Sequence, residues 1–86
     1  MSWLVGVGAS ARKSLDRIPT ADRRRIEAAI GTMGFDPLSG DVVKLAGTEA
    51  FRRRIGNYRI IFDVDFKAQS VRIFDVLRRS TTTYRR

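Results

Sequence analysis

Two runs of alternating character, Phe51 to Ile55 and Tyr58 to Val64, are separated only by Gly56 and Asn57 in the stretch FRRRIGNYRIIF. A two-residue connection that includes glycine turns the chain back on itself and makes the two runs neighbouring antiparallel strands. Side chains alternate across a strand, so this hairpin also decides which residues share a face. Arg52 and Arg54 fall on one side, with Phe51, Arg53 and Ile55 on the other. After the turn, Arg59, Ile61 and Asp63 oppose Tyr58, Ile60 and Phe62. The apolar sets Phe51 with Ile55, and Tyr58 with Ile60 and Phe62, are the ones to bury. Arg52, Arg54 and Arg59 are then left together on the open face.

The rest of the chain supplies a cover for the buried side. Trp3 to Val7 reads as a first strand, with Trp3 a core residue. Ala11, Leu15 and Ile18 recur at helical spacing, with Ser10 as the N-cap and Pro19 as the stop. Thr20 reads as the N-cap of a second helix with Asp22 in its first turn, an apolar face of Ile26, Ala29, Ile30 and Met33, and Gly34 at its end. Phe35 to Gly40 is a loop, and Val42 to Gly47 can form a short extended piece. A third strand of the meander runs from Val71 to Leu77, with Arg72, Phe74 and Val76 alternating on one face. The order implies an α+β fold, an N-terminal strand and helical hairpin packed on a small antiparallel sheet, in one domain spanning residues 1–86.

The 86 residues include no histidine and no cysteine. The usual general base, the usual thiol nucleophile and the Cys or His ligands of a zinc site are therefore excluded, and disulfides with them. No basic segment precedes the short apolar run at the N-terminus, and no run is long enough to span a bilayer, so the expectation is a cytoplasmic protein without a membrane partner.

The net charge of +8 is concentrated in the C-terminal half. Residues 1–43 hold six basic side chains against five acidic, while residues 44–86 hold eleven against four. Arginine outnumbers lysine fourteen to three, and the planar guanidinium fork suits phosphate and carboxylate. Such a field points to a polyanion partner, nucleic acid or an acidic protein. A charged strand edge that discourages aggregation is the structural alternative for Arg52 to Arg54, and Arg23 to Arg25 read as a solvated helix face. The last strand ends at Arg78 and Arg79, and Tyr84 follows, flanked by Arg85 and Arg86. A phenol near several guanidiniums has its ionised form favoured, so Tyr84 can act as a general base or stack on a nucleobase.

These features together resemble the RelE/ParE superfamily of bacterial and archaeal toxins. The resemblance runs through ASARKSLDRIP, GFDPLSG, VVKLAG, the hairpin RRRIGNYRIIFDV and the closing VLRRSTTTYRR, almost the full length of the chain. It implies a compact α+β domain like that of microbial ribonucleases. RelE-like members cleave messenger RNA in the ribosomal A site by attack of the ribose 2′-hydroxyl on the adjacent phosphate, without metal or other cofactor. By that likeness Arg52, Arg54 and Arg59 surround the phosphate. Either Arg78 or Arg79 is the arginine ending the last strand, and Tyr84 is the general base. Lys44, Arg53, Arg85 and Arg86 are further candidates for holding RNA. Many relatives carry lysine where this chain has Arg52 and Arg54, and histidine where it has Arg78. Arginine stays protonated, so base duty falls on Tyr84.

The same resemblance leaves two other readings open: a ParE-like inhibitor of DNA gyrase that cuts no nucleic acid, and an inactive, antitoxin-bound member. In each case it implies a cognate antitoxin with a flexible acidic segment, in a toxin–antitoxin hetero-oligomer. For the nuclease reading the ribosome and messenger RNA are added partners.

Overall fold

The computed structural model describes residues 2–79. The elements run β1 (Leu4–Val7), α1 (Ala9–Asp16), α2 (Thr20–Met33), β2 (Val42–Lys44), β3 (Phe51–Ile55), β4 (Tyr58–Asp65) and β5 (Ser70–Arg78). The central hairpin forms as its sequence dictates. Ile55 pairs with Tyr58, and Gly56 takes φ +55°, the left-handed conformation that the first residue of a type II′ turn needs.

The strands make one five-stranded sheet in the order β1-β5-β4-β3-β2. Three of the four pairings are antiparallel, but β1 runs parallel to β5, with Val5 opposite Val71 and Val7 opposite Ile73. The sheet is therefore mixed, within the expected α+β class. A parallel neighbour needs a crossover. The pair α1 and α2 supplies the chain that carries β1 round to the opposite edge, where β2 pairs with β3.

Both helices bury their apolar sides on the same face of the sheet. Ala11 and Leu15 of α1 and Ile26, Ala29 and Met33 of α2 join Tyr58, Ile60, Phe62, Val71, Ile73 and Val76 in one core. Phe62, Ile26, Met33, Ile60 and Ile73 are its largest fully buried side chains, each contributing about 1.5–3 kcal/mol of burial. Trp3 packs against this core, sets its ring edge-on to Phe66 at 5.8 Å and donates its amide to Gly34 O at 2.7 Å. No helix among the described residues is long and apolar enough to cross a membrane.

Neither expected hydroxyl N-cap is used. Gly8 and Pro19 occupy the cap positions without side-chain hydrogen bonds, and the Ser10 hydroxyl instead reaches Asp75 on β5 at 3.1 Å. Sequence-local propensity loses here to a contact between residues far apart in the chain.

Candidate nucleic-acid interface

The sheet face turned away from the helices carries the arginines. In the β3–β4 register Arg52 lies opposite Ile61 and Arg54 opposite Arg59, while their neighbours Ile60, Phe62 and Tyr58 are buried under the helices. Arg52, Arg54 and Arg59 therefore share the open face, as alternation requires. Asp63 and Arg72 extend it as a cross-strand pair whose side chains approach to 3.6 Å. Val43, Phe74 and Leu77 are exposed apolar residues on the strands flanking this arginine group.

Asp41, just before the edge strand β2, borders this group. Its carboxylate is 3.4 Å from Arg52 Nη1 and 3.9 Å from Arg54 Nε, and its backbone carbonyl accepts the Arg54 amide at 3.0 Å. Only 15% of the Arg52 side chain is exposed, so its charge is held in place rather than free to wander. Arg59 has no such counter-ion among the described residues, and its Nε is buried without a hydrogen-bond partner. One carboxylate thus faces two of the three guanidiniums, leaving an excess positive charge that suits an incoming anion.

Other expected site residues are placed elsewhere. Arg53 is on the helix side, where Nη1 donates to Thr32 Oγ1 at 2.8 Å and to Ala29 O at 3.2 Å. It ties β3 to α2, on the side of the sheet away from Arg52, Arg54 and Arg59. Lys44 pairs with Phe51, which faces the core, so it shares the helix side of the edge strand, with Nζ 3.8 Å from Glu49. Tyr84, Arg85 and Arg86 lie outside the described residues.

A β-bulge overturns the simple alternation expected in β5. Phe62 pairs with Ile73 and Ile61 with Asp75, so Phe74 is an extra residue and the side chains beyond it change sides. Val76 is consequently buried opposite Ile60 rather than sharing a face with Arg72 and Phe74. Arg78 pairs with Tyr58 and lines a cavity of about 240 Å³ with Ser14, Arg17, Ile18, Pro19, Tyr58 and Val76. Leu77 lies opposite Arg59, and Arg79, two residues further, follows it toward the arginine face. The Arg79 amide is fixed to Asn57 O at 2.6 Å.

The bulge also frees Asp75 to reach sideways. Ser14 and Ser10 donate their hydroxyls to its carboxylate at 2.7 and 3.1 Å, and the Val76 amide donates at 2.8 Å. The Ser14 hydrogen bond, joined by those from Val76 and Ser10, outweighs partial burial and holds the Asp75 carboxyl below the usual carboxylate range. This cluster locks α1 to the last strand and leaves the arginine face undisturbed.

No protein-family model matches the chain, and no curated protein matches it. Solved structures do. The RelE–RelB complex from the archaeon Pyrococcus horikoshii OT3 superposes with a TM-score of 0.84 at 29% identity, covering 94% of this chain and 99% of that one. The RelBE2 toxin–antitoxin complex of Mycobacterium tuberculosis gives 0.63 at 27% identity, covering 92% and 100%. The chain is similar in fold to RelE toxins. The intact RelBE complex of Escherichia coli shares the fold at a TM-score of 0.76 and 14% identity, over 92% of this chain and 99% of that one. The RelE-like fold thus accounts for the mixed sheet and its helical cover, and the motif resemblance read from the sequence agrees with it. Within that fold, Arg52, Arg54 and Arg59 share the open face, with Asp41 beside the first two.

Proposed function

We propose that this chain is the toxin of a toxin–antitoxin pair and acts as a ribosome-dependent endoribonuclease on messenger RNA in the A site. The observation that carries the reading is the convergence of Arg52, Arg54 and Arg59 on one open face, with Arg54 directly opposite Arg59. Like charges placed opposite each other are unfavourable in a sheet unless an anion lies between them, and a scissile phosphate is such an anion.

In this mechanism the three guanidiniums bind the phosphate and neutralise the charge that builds up on it. The ribose 2′-oxygen attacks phosphorus and the bond to the 5′-oxygen breaks, leaving a 2′,3′-cyclic phosphate and a 5′-hydroxyl end. Tyr84 takes the 2′-hydroxyl proton, since the arginines cannot. Arg79 stabilises the departing 5′-oxygen, which takes a proton from water to become the 5′-hydroxyl. The reaction takes place in the cytoplasm, on the ribosome.

RelE is bound to RelB in several of the similar structures. An antitoxin is accordingly the proposed partner here, in a hetero-oligomer, with an acidic flexible segment that answers the basic surface. Such a segment neutralises the toxin by covering Arg52, Arg54 and Arg59 or by displacing the tail that carries Tyr84.

Primer extension on a defined messenger RNA tests the proposal, with purified ribosomes, a ribosome-free control and Tyr84→Phe and Arg59→Ala variants. New 5′ ends at A-site codons that need ribosomes and vanish in both variants are the expected result. Absence of cleavage under every condition would overturn it, and inhibition of gyrase supercoiling would then identify a ParE-like activity.

A further inference from the structure

Phosphate binding by the arginines leaves one aromatic ring on the open face without a role. Phe74 is the bulged residue of β5 and is 38% exposed, whereas Phe62 is completely buried in the core. The Arg72 guanidinium lies over its ring, 5.1 Å from the centroid, and is held from the other side by Asp63 at 3.6 Å. The Asp63–Arg72 pairing and the position of Arg72 over the ring put Phe74 on the same side of the sheet as Arg59. Leu77, exposed and opposite Arg59, continues the apolar strip along β5.

An exposed ring beside a row of guanidiniums is the combination that single-stranded nucleic acid uses, with phosphates on the cations and bases on the planar surfaces. Ring and guanidinium each offer such a plane. Phe74 stands three positions along β5 from Leu77, the partner of Arg59, which sets it roughly 10 Å along the strand from the phosphate site. A short stretch of extended strand bridges that separation.

We propose that Phe74, with Arg72 over it, is a stacking platform for a base of single-stranded RNA whose phosphates lie on Arg52, Arg54 and Arg59. The proposal rests on the RNA-binding reading above and adds a residue that touches the base rather than the backbone. A base-stacking contact is sequence-tolerant, so the platform contributes affinity and register more than codon choice.

The test compares two ligands on the full chain, a single-stranded oligoadenylate RNA and inorganic polyphosphate of matched charge, which has no bases. Phe74→Ala and Phe74→Leu are expected to lower RNA affinity roughly 5- to 150-fold, the range of a lost base–aromatic stack, and to leave polyphosphate affinity unchanged. Phe74→Trp is expected to bind RNA at least as tightly as the parent. Thermal melts followed by circular dichroism confirm that each variant is folded. Equal losses for both ligands, no loss for RNA, or wild-type-like RNA binding by Phe74→Leu would each overturn the platform. A parent protein that binds polyphosphate as tightly as RNA would also overturn it while leaving the phosphate site standing. A parent that binds neither ligand would bring down the RNA reading and the platform together.

Discussion

Arg54 and Arg59 are direct cross-strand partners on the open side of the β3–β4 hairpin, and the Arg59 Nε is buried without a hydrogen-bond partner. The arrangement costs stability twice, through like-charge opposition and through an unsatisfied buried donor. Arg59→Met keeps an apolar stem and removes both costs. Its melting temperature is expected to rise, by about 4–8 °C for each 1 kcal/mol relieved in a domain of this size. Its affinity for RNA and polyphosphate should fall in the same experiment. A lower melting temperature would show that Arg59 is structural rather than held ready for an anion.

Arg53, one residue along from two site arginines, answers to a different demand. Its guanidinium donates to Thr32 and Ala29 of α2, and Gly40, at φ +86°, makes room for it, since a Cβ there would come within 3.0 Å of Arg53 Nε. Arg53→Met is expected to lose about 2 kcal/mol in urea denaturation, the scale of hydrogen bonds made by a charged donor. Polyphosphate affinity, measured on the folded variant, should change little. A large loss of affinity at unchanged stability would return Arg53 to the binding face.

The hairpin shows why some of this was legible in advance. Its two-residue turn fixes the register, so the separation of Arg52, Arg54 and Arg59 from Phe51, Tyr58, Ile60 and Phe62 follows from strand geometry alone. The same alternation already set Arg53 apart from Arg52 and Arg54, a distinction that listing it with the RNA-binding residues ignored. Val76 could not be placed so simply, because one extra residue in β5, Phe74, reverses every side chain after it and nothing in SVRIFDVLR marks the spot. Asp41 was hidden for another reason. It lies in a loop eleven residues before Arg52, and only the β2–β3 pairing brings the two together.

Asp75 ties the stability of this fold to pH. Its carboxyl titrates below the usual range in the folded chain, chiefly through the Ser14 hydroxyl, so the unfolded chain binds its proton more readily. The stabilisation it gives is complete above the unfolded value of about 3.9 and is lost as the pH falls below it. Asp75→Asn should therefore be less stable than the parent at pH 7, by about 1 kcal/mol, and the gap should narrow as the pH drops below about 4. Urea titrations of both proteins across that interval check the sign. A gap that stays constant would mean that the carboxylate charge contributes nothing to the latch.

Asp41 lies beside two of the arginines proposed to bind phosphate. Its carboxylate is shared between Arg52 at 3.4 Å and Arg54 at 3.9 Å, both contacts long for a charge-assisted hydrogen bond, so a phosphate can displace it at modest cost. It acts as an internal counter-ion of that face. Asp41→Asn frees one positive charge there, and affinity for polyphosphate is expected to rise, with a salt dependence steeper by about one released counter-ion. Glu49→Gln removes the same formal charge from a 95% exposed side chain beside Lys44, away from the arginine group, and so separates local from overall electrostatics. Its effect should be much the smaller of the two. If Asp41→Asn instead weakens binding, the carboxylate orients Arg52 and Arg54 for the phosphate, and the face depends on geometry more than on net charge.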